Sequence, residues 1–323
     1  MKNQKVLTTN YTKINGDFKG KDILSSEQFD LLSIKKLFSV TGQMAAIAKN
    51  ARPSDLLKGK ISTLLFFEPS SRTFGSFSAS MKQLGGQTIE MTISSSSMAK
   101  GESFEDTIRT YEAYCDLIVI RHPEVGSVQK AAEIAKYVPI INAGDGIGEH
   151  PTQALYDLYT IKEKFPNVNK LHVVFFGELA HYRPVNSLAM LLSLYPGIKI
   201  SFVSPPQVKL NQEVYSYLKE RNIQFQELVN IDDVIGEADV LYVTRVKKEF
   251  LPAKLYKQIQ GKYSVDKKLV NKMKKESIIM HALPRVGEIS TEIDNDPRAV
   301  YLKAQVRNGM YVRMALLKLV LKG

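Results

Sequence analysis

The sequence predicts an α/β protein of two domains, each built on a parallel β-sheet flanked by helices. Three observations carry that prediction. The chain has 323 residues, too many for one small core and enough for two domains of ordinary size. Short apolar runs alternate with segments of helical periodicity, the pattern of strand, crossover helix and strand. The same rhythm occurs twice, on either side of a glycine-rich stretch at 142–150, Asn-Ala-Gly-Asp-Gly-Ile-Gly-Glu-His.

In the first half, apolar runs at 61–67, 88–93, 117–121 and 138–142 read as strands. Between them, 73–84 has helical spacing and stops at Gly85-Gly86, a double helix terminator. A helix at 103–114 follows a serine-rich loop, and another at 127–137 fills the interval before the fourth strand. The stretch at 142–150 is the expected hinge, because glycine lets backbone approach a ligand or swing. Beyond it, strands are expected at 171–177, 199–204, 240–246 and 277–283, with helices at 152–165, 185–195, 211–220 and 231–238. An amphipathic segment at 305–321 closes the chain and fits against either half.

Composition narrows the classes. With 44% hydrophobic and 24% charged residues the chain is neither disordered nor fibrous. The single cysteine, Cys115, excludes an intramolecular disulfide and any multi-cysteine metal centre, and reads as a small buried side chain at a helix-to-strand junction. No apolar stretch is long enough for a signal peptide or a membrane span, so a cytoplasmic location is expected, without a membrane partner. The net charge of +11 raises the question of nucleic acid. Its excess lies largely in lysines spread over 247–275 with no nucleic-acid motif, which reads as a solvated face and makes nucleic acid an unlikely partner. A positive field also suits a small, multiply negative substrate.

The chemistry concentrates where strands end, which is where open α/β sheets bind ligands. Residues 66–73 run Phe-Phe-Glu-Pro-Ser-Ser-Arg-Thr, a strand entering a helix start that offers Ser70, Ser71 and Thr73 hydroxyls, the Arg72 fork and free backbone N–H groups. That combination grips a phosphate. Arg121-His122-Pro123, His150-Pro-Thr-Gln153, Arg245 and His281-Ala-Leu-Pro-Arg285 stand at other strand ends, and the polar loop before Gly101 carries Lys100. Singly, Arg121 also fits a surface ion pair, His150 a hydrogen-bonded core histidine and Arg183 an ordinary helix residue. Together they describe a pocket for an anion with a polarised carbonyl.

In order and spacing this set resembles the aspartate/ornithine carbamoyltransferase family, over the span from about residue 60 to the C-terminus. The resemblance implies a carbamoyl phosphate-binding domain at 1–150, completed by the C-terminal helix at about 305–323 packing back on it, and an aspartate-binding domain at 151–304. It implies that Ser70, Ser71, Arg72 and Thr73 hold phosphate and that Arg121 bridges phosphate and carbonyl. Thr73, Arg121 and His150 would polarise the carbonyl oxygen, and Gln153 with the main chain at Leu283 and Pro284 would bind the carbamoyl nitrogen. Arg183, Arg245, Lys100 and Lys247 would hold the two carboxylates of aspartate. Ser96 and Lys100 would enter a neighbouring subunit's site, which makes the active unit a homotrimer. No cofactor or metal is implied, and the partners left open are a regulatory chain or a dihydroorotase.

The implied reaction, carbamoyl transfer from carbamoyl phosphate to the aspartate amine in pyrimidine biosynthesis, agrees with the residues. Fixed donors stabilise charge growing on the carbonyl oxygen and departing phosphate, and phosphate itself takes the amine proton. Four positions depart from the family pattern. Phe74 replaces a basic residue, so packing is expected in place of a salt bridge; Glu178 stands for an aspartate, Tyr182 for a glycine and Lys247 for a glutamine. Two alternatives are weighed against this. Ornithine transfer is disfavoured by Ala282 in place of a cysteine and by the positive Arg245-Val-Lys247 triplet. A non-catalytic, basic nucleic-acid-binding relative is disfavoured because every anion ligand is retained.

Overall fold

The structure, a computed structural model, describes residues 11–50, 54–92, 101–246, 251–259 and 261–323. Helix α1 (Leu31–Lys49) opens with the Asp30 carboxylate accepting the Ser33 N–H at 2.7 Å. Ile34, Leu37, Val40, Thr41 and Met44 recur along it at three- and four-residue spacing and give it one buried stripe. Strand β1 (Ile61–Phe66) then leads through α2 (Ser71–Gln83), β2 (Gln87–Thr92), α3 (Phe104–Glu112), β3 (Leu117–His122) and α4 (Ser127–Ile134) to β4 (Ile140–Asp145). These strands pair in parallel in the order β2-β1-β3-β4.

Helix α5 (Pro151–Lys164) carries the chain to β5 (His172–Phe176), α6 (Arg183–Leu192), β6 (Lys199–Val203), α7 (Gln212–Glu220) and β7 (Gln224–Leu228). Strand β8 (Val240–Val243), helices α8 (Ala253–Ile259) and α9 (Lys267–Val270), strand β9 (Ile278–His281) and helix α10 (Ala304–Lys322) complete it. The second sheet is also parallel, in the order β7-β6-β5-β8-β9.

Both sheets are buried on both faces, and the strands show it residue by residue. Leu64, Phe66, Leu117 and Val119 face one core while Leu65, Ile118 and Ile120 face another, and in β5 Val173 and Phe175 oppose Val174 and Phe176. The largest core joins the halves: it runs from β1 and β3 through α1, α5 and α10 to β5, β6 and β8. Helix α10 packs on α1, α2 and α5, so the C-terminal segment returns to the N-terminal half. Polar bonds fix its register. Asn308 Nδ2 donates to Thr160 Oγ1 at 3.0 Å, and the Ser80 hydroxyl donates to the Met310 carbonyl at 3.1 Å.

Several expectations are corrected. Residues 231–238 form two short 3-10 turns, Ile231–Asp233 and Ile235–Glu237, instead of an α-helix. The Asn230 side chain accepts the Asp232 N–H at 3.1 Å, and Val234 between the turns has φ −138°, outside the helical region. Strand β7 was not anticipated: it is a half-exposed edge, paired on one side only, and lacks a continuous apolar run. Helix α1 also lies outside the segments that the motifs covered.

The glycine-rich stretch is divided between strand and fastening. Its first four residues belong to β4, and Glu149 is half-buried, accepting from the Ser25 hydroxyl, the Ser26 N–H at 2.8 Å and the Ser187 hydroxyl at 3.1 Å. Cys115 sits at the expected helix-to-strand junction, its Sγ donating to the Tyr111 carbonyl at 3.1 Å, and burial pushes its thiol up. Among the described residues no helix is long and apolar enough to cross a membrane.

Candidate active site

Chain reversal after β1 runs through Glu68 and Pro69 into α2, whose N-cap is Ser70. The Ser70 hydroxyl is not spent on capping its own helix, and the first turn, Ser71-Arg72-Thr73, contains no acid. Phe74 is the first residue whose N–H finds a helical acceptor, the Ser70 carbonyl at 3.1 Å. The N–H groups of residues 71–73 therefore stand at the positive end of the helix beside three hydroxyls and a guanidinium, an arrangement suited to an oxyanion. Ser71 and Arg72 are exposed, Ser70 is half-buried and Thr73 is buried. Phe74 packs edge-on against Phe66 with centroids 5.1 Å apart, the packing expected at this position.

Glu68 ties this turn to β3 and to α6. Its Oε1 lies 2.6 Å from Arg121 Nη2, at the end of β3, and 2.9 Å from Arg183 Nη2, at the first residue of α6. Arg121 Nη1 also donates to the Ala143 carbonyl at 3.1 Å, and Arg183 Nη1 to the Gly146 carbonyl at 2.6 Å. Gly144, at φ +130°, is what lets the guanidiniums lie so close to β4: a Cβ there would be 2.8 Å from Arg121 Nη1 and 3.1 Å from Arg183 Nη1. Burial, then the neighbouring Arg183 charge, lowers the Arg121 guanidinium to about 10.

His150, the N-cap of α5, lies beside these arginines and is 4% exposed. Its backbone N–H donates to the Ser187 hydroxyl at 3.0 Å, but Nδ1 has no hydrogen-bond partner among the described residues, and neither has Arg121 Nε. Burial, followed by the fields of Arg183, Arg121 and Arg313, holds the imidazole well below its ordinary value. It is a neutral ring in a cationic pocket. Such a ring can donate a hydrogen bond to a carbonyl oxygen without carrying charge of its own.

One turn along α5, Gln153 Nε2 donates to Asp157, at 3.0 and 3.1 Å from its two oxygens. Asp157 also accepts from Tyr242 Oη at 2.8 Å and Gln305 Nε2 at 2.7 Å, and burial pushes its carboxyl up to about 7. The loop after β9 is held by His281, whose Nδ1 accepts the Leu283 N–H at 2.7 Å while Nε2 meets Glu288 at 2.7 Å. Leu283 there has φ +56° and Pro284 is exposed. Arg245, half-buried after β8, is near enough for its charge to act on the Tyr182 phenol, and Gly177 at φ +124° brings the β5 exit beside Thr244: a Cβ there would be 2.6 Å from the Thr244 carbonyl. Ser96, Lys100 and Lys247 lie outside the described residues.

This geometry meets an independent record in other sequences and folds. The carbamoyl-P binding domain of aspartate/ornithine carbamoyltransferase matches residues 21–163, and its Asp/Orn binding domain matches residues 169–320. The chain belongs to the aspartate/ornithine carbamoyltransferase family. Within that family it is 46% identical over 310 residues to the chloroplastic aspartate carbamoyltransferase of Arabidopsis thaliana, covering 95% of this chain and 79% of the relative. It is 45% identical over 320 residues to the multifunctional protein pyr1-3 of Dictyostelium discoideum, spanning 99% of this chain but 14% of that one. Aspartate transcarbamoylase of Trypanosoma cruzi, solved with carbamoyl phosphate and aspartate, superposes with a TM-score of 0.90 at 38% identity, covering 96% of this chain and 99% of that chain. The catalytic subunit of the M. jannaschii enzyme gives a TM-score of 0.85 at 43% identity over 92% and 97% of the two chains.

Three residues of this carbamoyltransferase site were given no role in the sequence reading. Glu68 sits inside the quoted motif yet is the one acid in a row of donors. Asp157 follows Gln153 by four residues, the spacing that puts both on one helix face. Arg313 is a charge within the apolar stripe of α10, 3% exposed between the rings of Phe77 and Tyr156 at 4.9 and 5.1 Å, with Nε and Nη2 lacking partners among the described residues. A charged residue at an otherwise apolar position was the available signal.

Proposed function

We propose that the chain transfers the carbamoyl group of carbamoyl phosphate to the amino group of L-aspartate, yielding N-carbamoyl-L-aspartate and phosphate, a step of pyrimidine biosynthesis. The observation that carries this reading is the meeting of Arg121, Arg183 and Glu68 beside a buried, neutral His150 at the mouth of α2. Ser70, Ser71, Arg72 and Thr73 take the phosphate, and Arg121 reaches both phosphate and carbonyl. Thr73, Arg121 and His150 donate to the carbonyl oxygen as charge gathers there. Gln153 and the main chain at Leu283 and Pro284 receive the carbamoyl nitrogen, while Arg183 and Arg245, joined by Lys100 and Lys247, take the aspartate carboxylates.

Attack by the amine forms a C–N bond, places charge on the carbonyl oxygen and ends with the C–O bond to phosphate breaking. The departing phosphate accepts the amine proton, so no protein base is required. Glu68 neutralises part of the charge on Arg121 and Arg183, and two arriving anions compete with it for both. Domains at 1–150 with 305–323, and at 151–304, supply the two substrates from opposite sides. Ser96 and Lys100 come from a neighbouring subunit of a homotrimer, and the setting is cytoplasmic, beside plant relatives named chloroplastic. The multifunctional relatives carry a matching region within much longer chains, which supports testing dihydroorotase, alongside a regulatory chain, as a physical partner.

A direct assay with carbamoyl phosphate, offering aspartate and ornithine separately, tests the reading. Turnover with aspartate alone is expected. Turnover with ornithine alone, or with neither, would overturn it.

A further inference from the structure

Asp157 receives three donors and gives none. Gln153 Nε2, Tyr242 Oη and Gln305 Nε2 all point at its carboxylate, at 3.0, 2.8 and 2.7 Å. An ionised carboxylate can only accept, and these three bonds favour that form against the burial that opposes it. Gln305 cannot turn its amide over, because its Oε1 takes the His281 N–H at 3.0 Å. The same constraint reaches Gln153: with its nitrogen held by Asp157, its carbonyl oxygen is directed to the other side of the amide and is available only as an acceptor.

We propose that Asp157 is a specificity-determining positioning residue, which locks the Gln153 carboxamide in the one orientation that accepts a hydrogen bond from the transferred group and so selects carbamoyl over acyl phosphates. The inference rests on the carbamoyl-transfer reading above. Carbamoyl phosphate carries an amino group where acetyl phosphate carries a methyl of similar size, so shape alone separates them poorly. A buried acceptor separates them well, since the methyl leaves it unpaired. Turned over, the same amide would oppose its N–H groups to the substrate's.

The substitution Asp157→Asn loosens the constraint at almost constant volume. Gln305 keeps its claim on the one remaining oxygen, to which Gln153 also donates, and the new amide nitrogen faces Tyr242 and, at 3.1 Å, the Gln153 amide nitrogen. Tyr242 can accept by rotating its hydroxyl, whereas Gln153 loses one of its two acceptors and meets an N–H with its own, an opposition relieved when it turns over. The readout is the ratio of the inhibition constant of acetyl phosphate, competing with carbamoyl phosphate, to the KM of carbamoyl phosphate at saturating aspartate. We expect the ratio to fall about tenfold or more in Asp157→Asn, the scale of one hydrogen bond. Gln153→Ala should lower it similarly, and adding Asp157→Asn to Gln153→Ala should lower it no further. Tyr242→Phe, which leaves the Gln153 contact intact, should keep the ratio near wild type even though it destabilises the network.

Equal weakening of both ligands in Asp157→Asn, or its full effect persisting without Gln153, would overturn the assignment. Should Asp157→Asn not fold, the Gln153 side-chain amide signals of 15N-labelled wild-type enzyme decide: slowly exchanging protons support the lock, and freely exchanging ones overturn it. Absence of carbamoyl transfer by the wild type would instead defeat the function on which the inference rests.

Discussion

Two guanidiniums and one carboxylate leave a net positive charge beside His150, and that imbalance governs the chemistry residue by residue. Arg72 stands at the second position of α2, exposed, where an arriving phosphate would meet it first. Arg72→Ala should lower kcat/KM by about a hundredfold or more, the range for losing one preorganised donor to developing charge, as steady-state kinetics would reveal; near-normal turnover would remove Arg72 from the site. His150 supplies a pH signature. Its folded-state value lies below the 6.5 of an ordinary imidazole, so the unfolded chain takes up a proton that the folded one refuses. The associated stability is present above pH 6.5 and is lost as pH falls below it, with His122 and His172 contributing in the same direction. Between about pH 7 and pH 5 the histidines therefore lower the urea midpoint, while Asp157, whose raised carboxyl takes up its proton in the folded state first, works in the opposite sense. His150→Gln should remove part of the histidine contribution to that slope. An unchanged slope in the variant would assign the effect to the other histidines.

Elements place these groups by one recurring device, a strand that ends where a helix begins. Ser70 occupies the N-cap position of α2, His150 that of α5, and Arg183 opens α6, and the last two helices carry Pro151 and Pro184 in their first turns. Proline suits that position because its missing N–H would have had no helical acceptor. Strand ends were legible for this reason: polar residues break an apolar run just where helical spacing starts. The exit of β4 was harder to read, since the sequence showed flexible glycines and the structure uses Gly144 for clearance. Gly144→Ala sets a Cβ against both guanidiniums and strains a backbone at φ +130°. It should cost about 1–3 kcal/mol in denaturation and reduce turnover more than tenfold. Stability loss with intact turnover would show that β4 does not hold the arginines in place.

Across the whole molecule, the halves are not independent beads. A single core spans both sheets, and Asp157 gathers side chains from α5, β8 and α10 at its centre. Helix α10 also brings the buried charge of Arg313 within electrostatic reach of Arg121 and His150. The proposed trimer makes a further claim at this scale: a site built from two chains can be rebuilt from two defective ones. Mixing inactive Lys100→Ala and Arg72→Ala subunits should restore a measurable fraction of wild-type activity, because some sites in the mixed assembly draw both intact groups. No recovery in mixed trimers confirmed by mass spectrometry would mean that each chain carries a self-contained site.

The sequence by itself determined the class of fold, the alternation of most strands and helices, and which side chains are the candidates to bear chemistry. Those features are local, written in two-residue and 3.6-residue periods and in the residues at which periods change. It did not disclose β7, whose pairing needs only a neighbour, nor the breakdown of 231–238 into turns, which capping decides against helix propensity. Only the tertiary structure revealed that Glu68 binds one arginine from β3 and one from α6, that Arg313 is buried among aromatic rings and that Asp157 fixes two glutamines. Each of those is an electrostatic or hydrogen-bonding relation between residues far apart in the chain, and its strength comes from a shared, desolvated space that exists only once the core has closed.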